Sequence, residues 1–497
     1  MIPEDHYYIP SRERIDWEEL HHLIGNKRYF ILHAPRQTGK TSALFELMHE
    51  LNGGDKYTAL YINIEGAQTA RNDVEAGIST VCSVLGGAAD VYLKEKRLRE
   101  WYFSYNTTVE AHDRLKSMLE YWAGINPKPI VLLIDEIDAL IGDTLVSVLR
   151  QLRSGYNQRP EAFPQSVVLC GVRDIKDYRI HKSDGDIITG GSAFNIKSKS
   201  LTIGNFTFQE MKNLLLQHTD VTGQKFDDAI WPELWEDTQG QPWLVNALAY
   251  EMTYEDREAR DPKVDITLEK YWAARERLIQ SRATHLDQLT DKLSEPRVHQ
   301  VISAILGSTD EESRLSNELS YDDQQYVQDL GLVKLKPQIR IANRIYREVI
   351  PRELTAATQN TIAHQTQWYV TEDHRLDMAK LLSAFQQFFR ENSESWIERF
   401  AYKEAGPQLL LQAFLQRIIN SGGRLGREYG LGRKRTDLLL EWPEDEGFLG
   451  EVQRVVIELK ILHKKLESLL PKFLGRTRSG IGKRATLTGT SMSGAAR

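Results

Sequence analysis

Early in the chain comes Tyr29-Phe30-Ile31-Leu32-His33, then Ala34-Pro35-Arg36-Gln37-Thr38-Gly39-Lys40-Thr41-Ser42, then a helical stretch from Ala43 to Glu50. The first run is aromatic and β-branched and of strand length, so the order is strand, loop, helix. In such a loop the successive backbone N–H groups and the start of the helix converge on one point, where phosphate oxygens are the matching partner. Lys40 adds a point charge, and the Thr41 hydroxyl can ligate Mg²⁺. Ala34 stands where the strict pattern has glycine. That position needs a small side chain more than a positive φ, and Gly39-Lys40-Thr41 is intact. Residues 34–42 are therefore read as a nucleotide phosphate loop, with ATP and Mg²⁺ as the expected ligands.

A second element agrees. Ile130-Val131-Leu132-Leu133-Ile134 is continuously apolar, as in a parallel strand buried on both faces, and it ends in Asp135-Glu136. Ligands of open α/β sheets bind at the carboxyl ends of the strands. Asp135 is thus the candidate to support Mg²⁺ and Glu136 the candidate to activate a water. Residues 59–64 and 167–170 are further strand candidates in a rhythm of alternating strands and helices, which predicts a doubly wound parallel sheet. Beyond the last strand, Gly171-Val172-Arg173-Asp174 lies where a polar side chain could sense the γ-phosphate. Arg150 and Arg153, one helical turn apart, are candidates for a charge-stabilising arginine.

Length and composition bound the rest. At roughly 150 residues per domain, 497 residues predict about three domains. The net charge of −7 gives no chain-wide attraction for phosphate backbones or anionic membranes. Positive charge is concentrated late: from His463 on, eight lysines and arginines face the single acid Glu467. Cys82 and Cys170 are too few for a disulfide framework, which suits a reducing compartment. The start carries Glu4, Asp5 and His6 instead of a basic and apolar leader, and no window approaches the ~20 apolar residues that span a bilayer. The expectation is a cytoplasmic chain with no membrane segment.

Further along, Thr207 with Glu210 forms a capping box before a helix over Met211–His218, and Gly240-Gln241-Pro242-Trp243 reads as a turn. Residues 34–42, Asp135-Glu136 and this Gly-x-Pro turn together resemble the AAA-like and STAND-type ATPases. The resemblance implies a lid of short helices whose Pro242 lies near the nucleotide. Arg297–Leu306 and Tyr321–Leu330 are helical in period, the second closed by Gly331. Val333/Leu335 and Ile339/Ile341 alternate around Lys336-Pro337 as a hairpin does. A winged helix follows from that order. Asp322 and Asp323 at the start of its second helix would oppose a DNA phosphate, which favours a packing or regulatory role.

Residues 355–371 are polar and aperiodic and are read as a linker. Lys403-Glu404-Ala405 opens a helix to about Asn420, with Leu409, Leu410, Phe414, Leu415 and Ile418 on one apolar stripe. Strands are expected at 424–429, 436–440 and 455–460. In the last of them Glu458 and Lys460 share a face. If Asp437 stands beside that face, Asp437 and Glu458 can hold Mg²⁺ while Lys460 positions a water. This arrangement resembles the PD-(D/E)XK nuclease core, with Asp437, Glu458 and Lys460 as its motif residues and Glu404 as the helical acid. Arg433-Lys434-Arg435 suits a substrate phosphate. Only 37 residues follow Lys460, and from Gly475 they are rich in Gly, Ser, Thr, Arg and Ala without an acid. They read as a disordered basic tail, and the core as cut short.

The expected architecture is α/β. It comprises a P-loop ATPase core (1–205), a helical lid (206–285), a winged helix (286–354), a linker (355–374), a nuclease-like domain (375–474) and a tail (475–497). Up to about Lys465 the whole resembles bacterial ATPases that join an AAA-like module to such a domain. It implies an ATP-hydrolysing switch governing a nuclease that acts on DNA, with further copies of the chain as possible partners. The alternative is a nucleotide-dependent binding module whose last domain docks a partner or nucleic acid. A DNA-translocating motor ranks last, because the sequence has no second ATPase core and no recognisable helicase-type motifs.

Overall fold

The computed structural model describes residues 5–174, 179–181, 187–189, 195–281, 292–307, 319–361, 369–371, 373–399, 410–416, 423–431, 434–443, 451–458 and 485–486. The chain divides into two compact units, Met1–Gln280 with Gln325–Val333, and Ser281–Gln324 with Lys334–Arg497.

The first unit is built on strands β1 (Tyr29–His33), β2 (Thr58–Asn63), β3 (Ile130–Asp135) and β4 (Ser166–Gly171). A short antiparallel pair follows, β5 (Arg179–His181) with β6 (Ile187–Thr189), and then β7 (Lys197–Thr202). Five strands form one sheet in the order β2-β3-β4-β1-β7, and every pairing in it is parallel. Side chains alternate between two apolar clusters: Tyr29, Ile31, Leu132 and Ile134 enter one, Phe30, Leu32, Val131 and Leu133 the other. Helices α1 (Trp17–Gly25) and α2 (Lys40–Gly53) contribute to the second cluster. Helices α3 (Val74–Leu93), α4 (Arg97–Tyr105), α5 (Ala111–Ile125) and α6 (Gly142–Ser154) contribute to the first. Both faces of the sheet are therefore covered, which is why its inner strands are largely apolar. The doubly wound α/β sheet is as expected. β7 carries no apolar run in the sequence. Its run Lys-Ser-Lys-Ser-Leu-Thr is polar because it forms an edge, where lysines discourage pairing with another chain.

Among the described residues, α3 is long and apolar enough to cross a membrane by length and composition. Its Ile78, Val81, Cys82, Leu85 and Ala89 are spent in the core beside the sheet. Cys82 and Cys170 are both buried and unpaired.

After β7 come α7 (Phe208–Thr222), α8 (Ile230–Thr238), α9 (Pro242–Tyr250) and α10 (Leu268–Gln280). The Thr207/Glu210 capping box forms in both directions at the start of α7. The fully buried Asp237 of α8 accepts hydrogen bonds from the Tyr271 hydroxyl and from Arg275 Nε at 2.9–3.0 Å, tying α10 to α8.

The second unit holds α11 (Pro296–Gly307) and the first residues of α12 (Tyr321–Asp329). Arg297 pairs with Asp323 at 3.0 Å, so one of the two aspartates is already neutralised within the unit. The two-residue strands β8 (Val333–Lys334) and β9 (Arg340–Ile341) pair where the hairpin was expected. Helix α13 (Arg344–Thr361) then runs into the segment read as a linker, whose alanines and glutamines support a helix without an apolar period. Helix α14 (Met378–Arg399) was not foreseen.

Residues 410–416 are helical and all buried, so this stretch is enclosed on every side instead of showing one stripe. Strands β10 (Arg424–Leu431), β11 (Lys434–Pro443) and β12 (Val452–Glu458) form an antiparallel meander at the three expected places. Strand β13 (Ala485–Thr486) pairs in parallel with β12, inside the stretch read as a disordered tail.

Candidate active site

The site lies at the carboxyl ends of β1, β3 and β4. β1 delivers the chain into the loop at Ala34, which is buried and whose N–H donates to Gly171 O at 3.2 Å. Gln37 and Gly39 take positive φ, 57° and 94°, and Gly39 caps α2. A side chain at Gly39 would also meet the Arg14 guanidinium at 3.2 Å, so two reasons require glycine there. Thr38 closes the loop by donating to Pro35 O at 2.8 Å. Lys40 is buried, and its ammonium donates to Ala34 O and Pro35 O, each at 3.0 Å. The lysine thus lies against the concave side of its own loop. Arg36 and Gln37 are exposed at the rim, and Ser42 is half-buried on the first turn of α2.

Thr41 and Asp135 meet. The Thr41 hydroxyl donates to Asp135 Oδ2 at 2.7 Å, and the Tyr61 hydroxyl donates to the same oxygen at 3.1 Å. The Glu136 N–H donates to Asp135 Oδ1 at 3.0 Å. Asp135 is fully buried, and these three donors satisfy its oxygens. Burial pushes the Cys170 thiol beside it well above its ordinary pKa, with the Asp135 charge adding to the effect.

Glu136 adopts a left-handed backbone conformation, φ 58°, uncommon for a residue with a Cβ and typical of positions held by function. Burial raises its carboxyl above the ordinary value. Lys40 opposes that shift, Asp135 and Asp138 add to it, and Arg36 opposes it. Asp138, three residues past Asp135, accepts a hydrogen bond from the Val172 N–H, and burial raises its pKa as well. It reaches over β4 because Gly171 has no side chain: a Cβ there would stand 2.6 Å from Asp138 Oδ2.

Arg173 follows, half-buried, with its guanidinium 4.7 Å over the Tyr326 ring. Asp174 is buried and accepts from the Ser200 hydroxyl. Arg150 and Arg153 lie exposed on α6.

On the opposite side Arg14 binds the loop to the lid. Its guanidinium donates to Thr38 O at 2.8 Å and to Gly204 O, and stacks 4.7 Å over Phe206. Burial disfavours its charge, which Glu210 partly offsets. The Phe206 N–H in turn donates to Gly240 O at 2.8 Å. Gly240 has φ 71°, Gln241 caps α9 by accepting from the Leu244 N–H at 2.6 Å, and Pro242 takes the first helical position.

The expected phosphate-loop residues and Asp135-Glu136 are thus brought together. Arg14, Tyr61, Asp138 and Tyr326 join them without having been singled out in the sequence. Only Asp138, in Asp-Glu-Ile-Asp, carried a local signal.

In the second unit the β11–β12 register sets Leu438 opposite Ile457, so the neighbours of Asp437 and Glu458 face one another. Lys460, Glu404 and Arg433 lie outside the described residues.

No family model matches the sequence, and no curated protein matches it. Solved structures do. The Walker-type ATPase PABY2304 of Pyrococcus abyssi is similar at 12% identity and TM-score 0.46, over 67% of this chain and 93% of that one. Cdc6p from Pyrobaculum aerophilum is similar at 15% identity and TM-score 0.38, over 70% and 95%. The Thermotoga maritima RuvB Holliday junction branch migration motor is similar at 12% identity and TM-score 0.34, over 67% and 93%.

Proposed function

We propose that this protein is an Mg²⁺-dependent ATPase that acts as a switch. The observation that carries the reading is the 2.7 Å bond from the Thr41 hydroxyl to Asp135, at the mouth of a loop whose lysine is already turned inward. Among the described residues no group of three or more His, Cys, Asp and Glu could hold a metal unaided. One hydroxyl and one carboxylate suit an ion that keeps its waters and takes its remaining ligands from phosphates, which is how Mg²⁺ binds. When bound, it would neutralise charge on the phosphate oxygens. Lys40 leaves the carbonyls of Ala34 and Pro35 for the phosphates. Glu136 takes the proton of a water that attacks the γ-phosphorus, and the bond to the β-bridging oxygen breaks, releasing ADP.

Residues 375–474 are proposed to form a nuclease-like domain acting on DNA under control of this switch, with Asp437, Glu458 and Lys460 in the roles given above. The antiparallel meander and its register support that reading.

The test uses the full chain. Lys40→Ala should abolish ATP binding, and Glu136→Gln should bind ATP without turning it over. Retained turnover in both would sink the assignment. Mg²⁺-dependent cleavage of supercoiled DNA that disappears in Glu458→Ala would establish the nuclease. Cleavage absent throughout, with ATP turnover intact, would leave an ATPase switch alone.

A further inference from the structure

Asp135 Oδ2 receives two hydroxyls, from Thr41 on the phosphate-loop helix and from Tyr61 on the neighbouring strand. The two differ in what nucleotide binding asks of them. Under the reading above, the Thr41 oxygen would also serve Mg²⁺, so its hold on Asp135 would be shared with the ion. Tyr61 has no such second duty. It stands on β2, where Asn63, two residues on, is registered against Asp135. Its side chain is buried. Its ring packs on Phe45 of α2 with centroids 4.3 Å apart, and on Tyr92 at 6.4 Å. Phe45 lies one turn along α2 from Thr41, so the helix that presents Thr41 also grips the ring that aims at Asp135.

We propose that Tyr61 is a positioning residue for the metal-supporting carboxylate, holding Asp135 in place where Thr41 would be shared with the ion. This rests on the ATPase reading and deepens it. Partners that orient a metal ligand typically matter 10- to 100-fold in metal affinity. Tyr61→Phe keeps the ring on Phe45 and removes only the donor.

The experiment titrates Mg²⁺ against binding of a fluorescent non-hydrolysable ATP analogue to the full chain, and repeats the measurement in EDTA. In Tyr61→Phe the Mg²⁺ midpoint should rise by about 10-fold, with affinity in EDTA unchanged. The Mn²⁺ midpoint should rise in parallel. An Mg²⁺ midpoint equal to wild type would overturn the proposal. So would a lower melting temperature with an unmoved midpoint in the folded fraction, which would make Tyr61 purely structural. Wild-type chain that binds no analogue would remove the ATPase reading and this proposal with it.

Discussion

The Arg173 guanidinium lies 4.7 Å over the Tyr326 ring, and Gly331, five residues on, stands against Pro35 of the phosphate loop, where a Cβ would come within 2.9 Å. The segment 325–333 therefore touches the proposed nucleotide site at the end of β4 and at the loop itself. A cation over an aromatic face is worth about 0.5–2 kcal/mol. If Arg173 exchanges the ring for a γ-phosphate, Tyr326→Ala should raise the preference for ATP over ADP by roughly 2- to 30-fold, with Tyr326→Phe close to wild type. Calorimetric affinities for both nucleotides decide it, and an unchanged ratio would refute the exchange.

Gly171→Ala should disturb the site through its neighbours. The added methyl would meet Asp138 Oδ2 at 2.6 Å and Ile137 Cγ2 at 2.9 Å. Overpacking of this kind costs about 1–3 kcal/mol. The displaced residues flank Glu136, so turnover should fall further than stability alone accounts for. Thermal melting and steady-state ATP hydrolysis on one preparation separate the two effects.

Gly240→Ala meets backbone instead of a flexible side chain. At φ 71° its Cβ would stand 1.9 Å from Phe206 O, and the bond from the Phe206 N–H would be lost. Gly223 is the internal control. It has φ 81°, and nothing lies within 4 Å of the place a Cβ would take. Gly223→Ala should cost only the left-handed penalty, about 1–2 kcal/mol. Gly240→Ala should cost clearly more and make the chain around Gly204 more sensitive to protease. Equal melting temperatures for the two variants would show that the turn does not anchor the lid.

The two raised carboxyls set a pH dependence. As the proposed base, Glu136 would have to be ionised to accept a proton, so the acid limb of kcat/KM should lie above the range of an ordinary glutamate. Asp138 adds like charge to that shift, and Asp138→Asn should move the limb to lower pH. Stability runs the other way. With both acids raised, the folded chain binds protons more tightly than the unfolded one, so their contribution to stability falls as pH rises from the ordinary carboxyl range through the raised values. Glu136→Gln should flatten that slope in melts recorded across pH, and an unaltered slope would count against it.

The phosphate loop and β3 were legible because each is a local pattern: a strand followed by Gly39-Lys40-Thr41, and five apolar residues followed by two acids. Tyr61 was not legible. Its role depends on β2 lying beside β3 in register, and strand order is a property of the whole sheet. Arg14 was hidden for a similar reason, since Thr38 O and Gly204 O come from distant parts of the chain and offer backbone, which leaves no residue-type signature. β7 escaped because a lysine-serine edge strand lacks the apolar run by which the inner strands were found. The helix over 410–416 was found, but with a stripe where burial is complete. Apolar periodicity marks a helix with one wet side, and that stretch has none.

β1, which launches the phosphate loop, is among the first strands made and among the last completed. Its partners are β4 and β7, at residues 166–171 and 197–202, while β2 and β3 pair with each other and need not wait for it. During synthesis the strand must stay available until Thr202 has been made. Nascent chains ending before Lys197 would leave β1 an apolar edge, a natural target for chaperones, so the birth of the proposed nucleotide site is timed by one of the least conspicuous strands in the sheet.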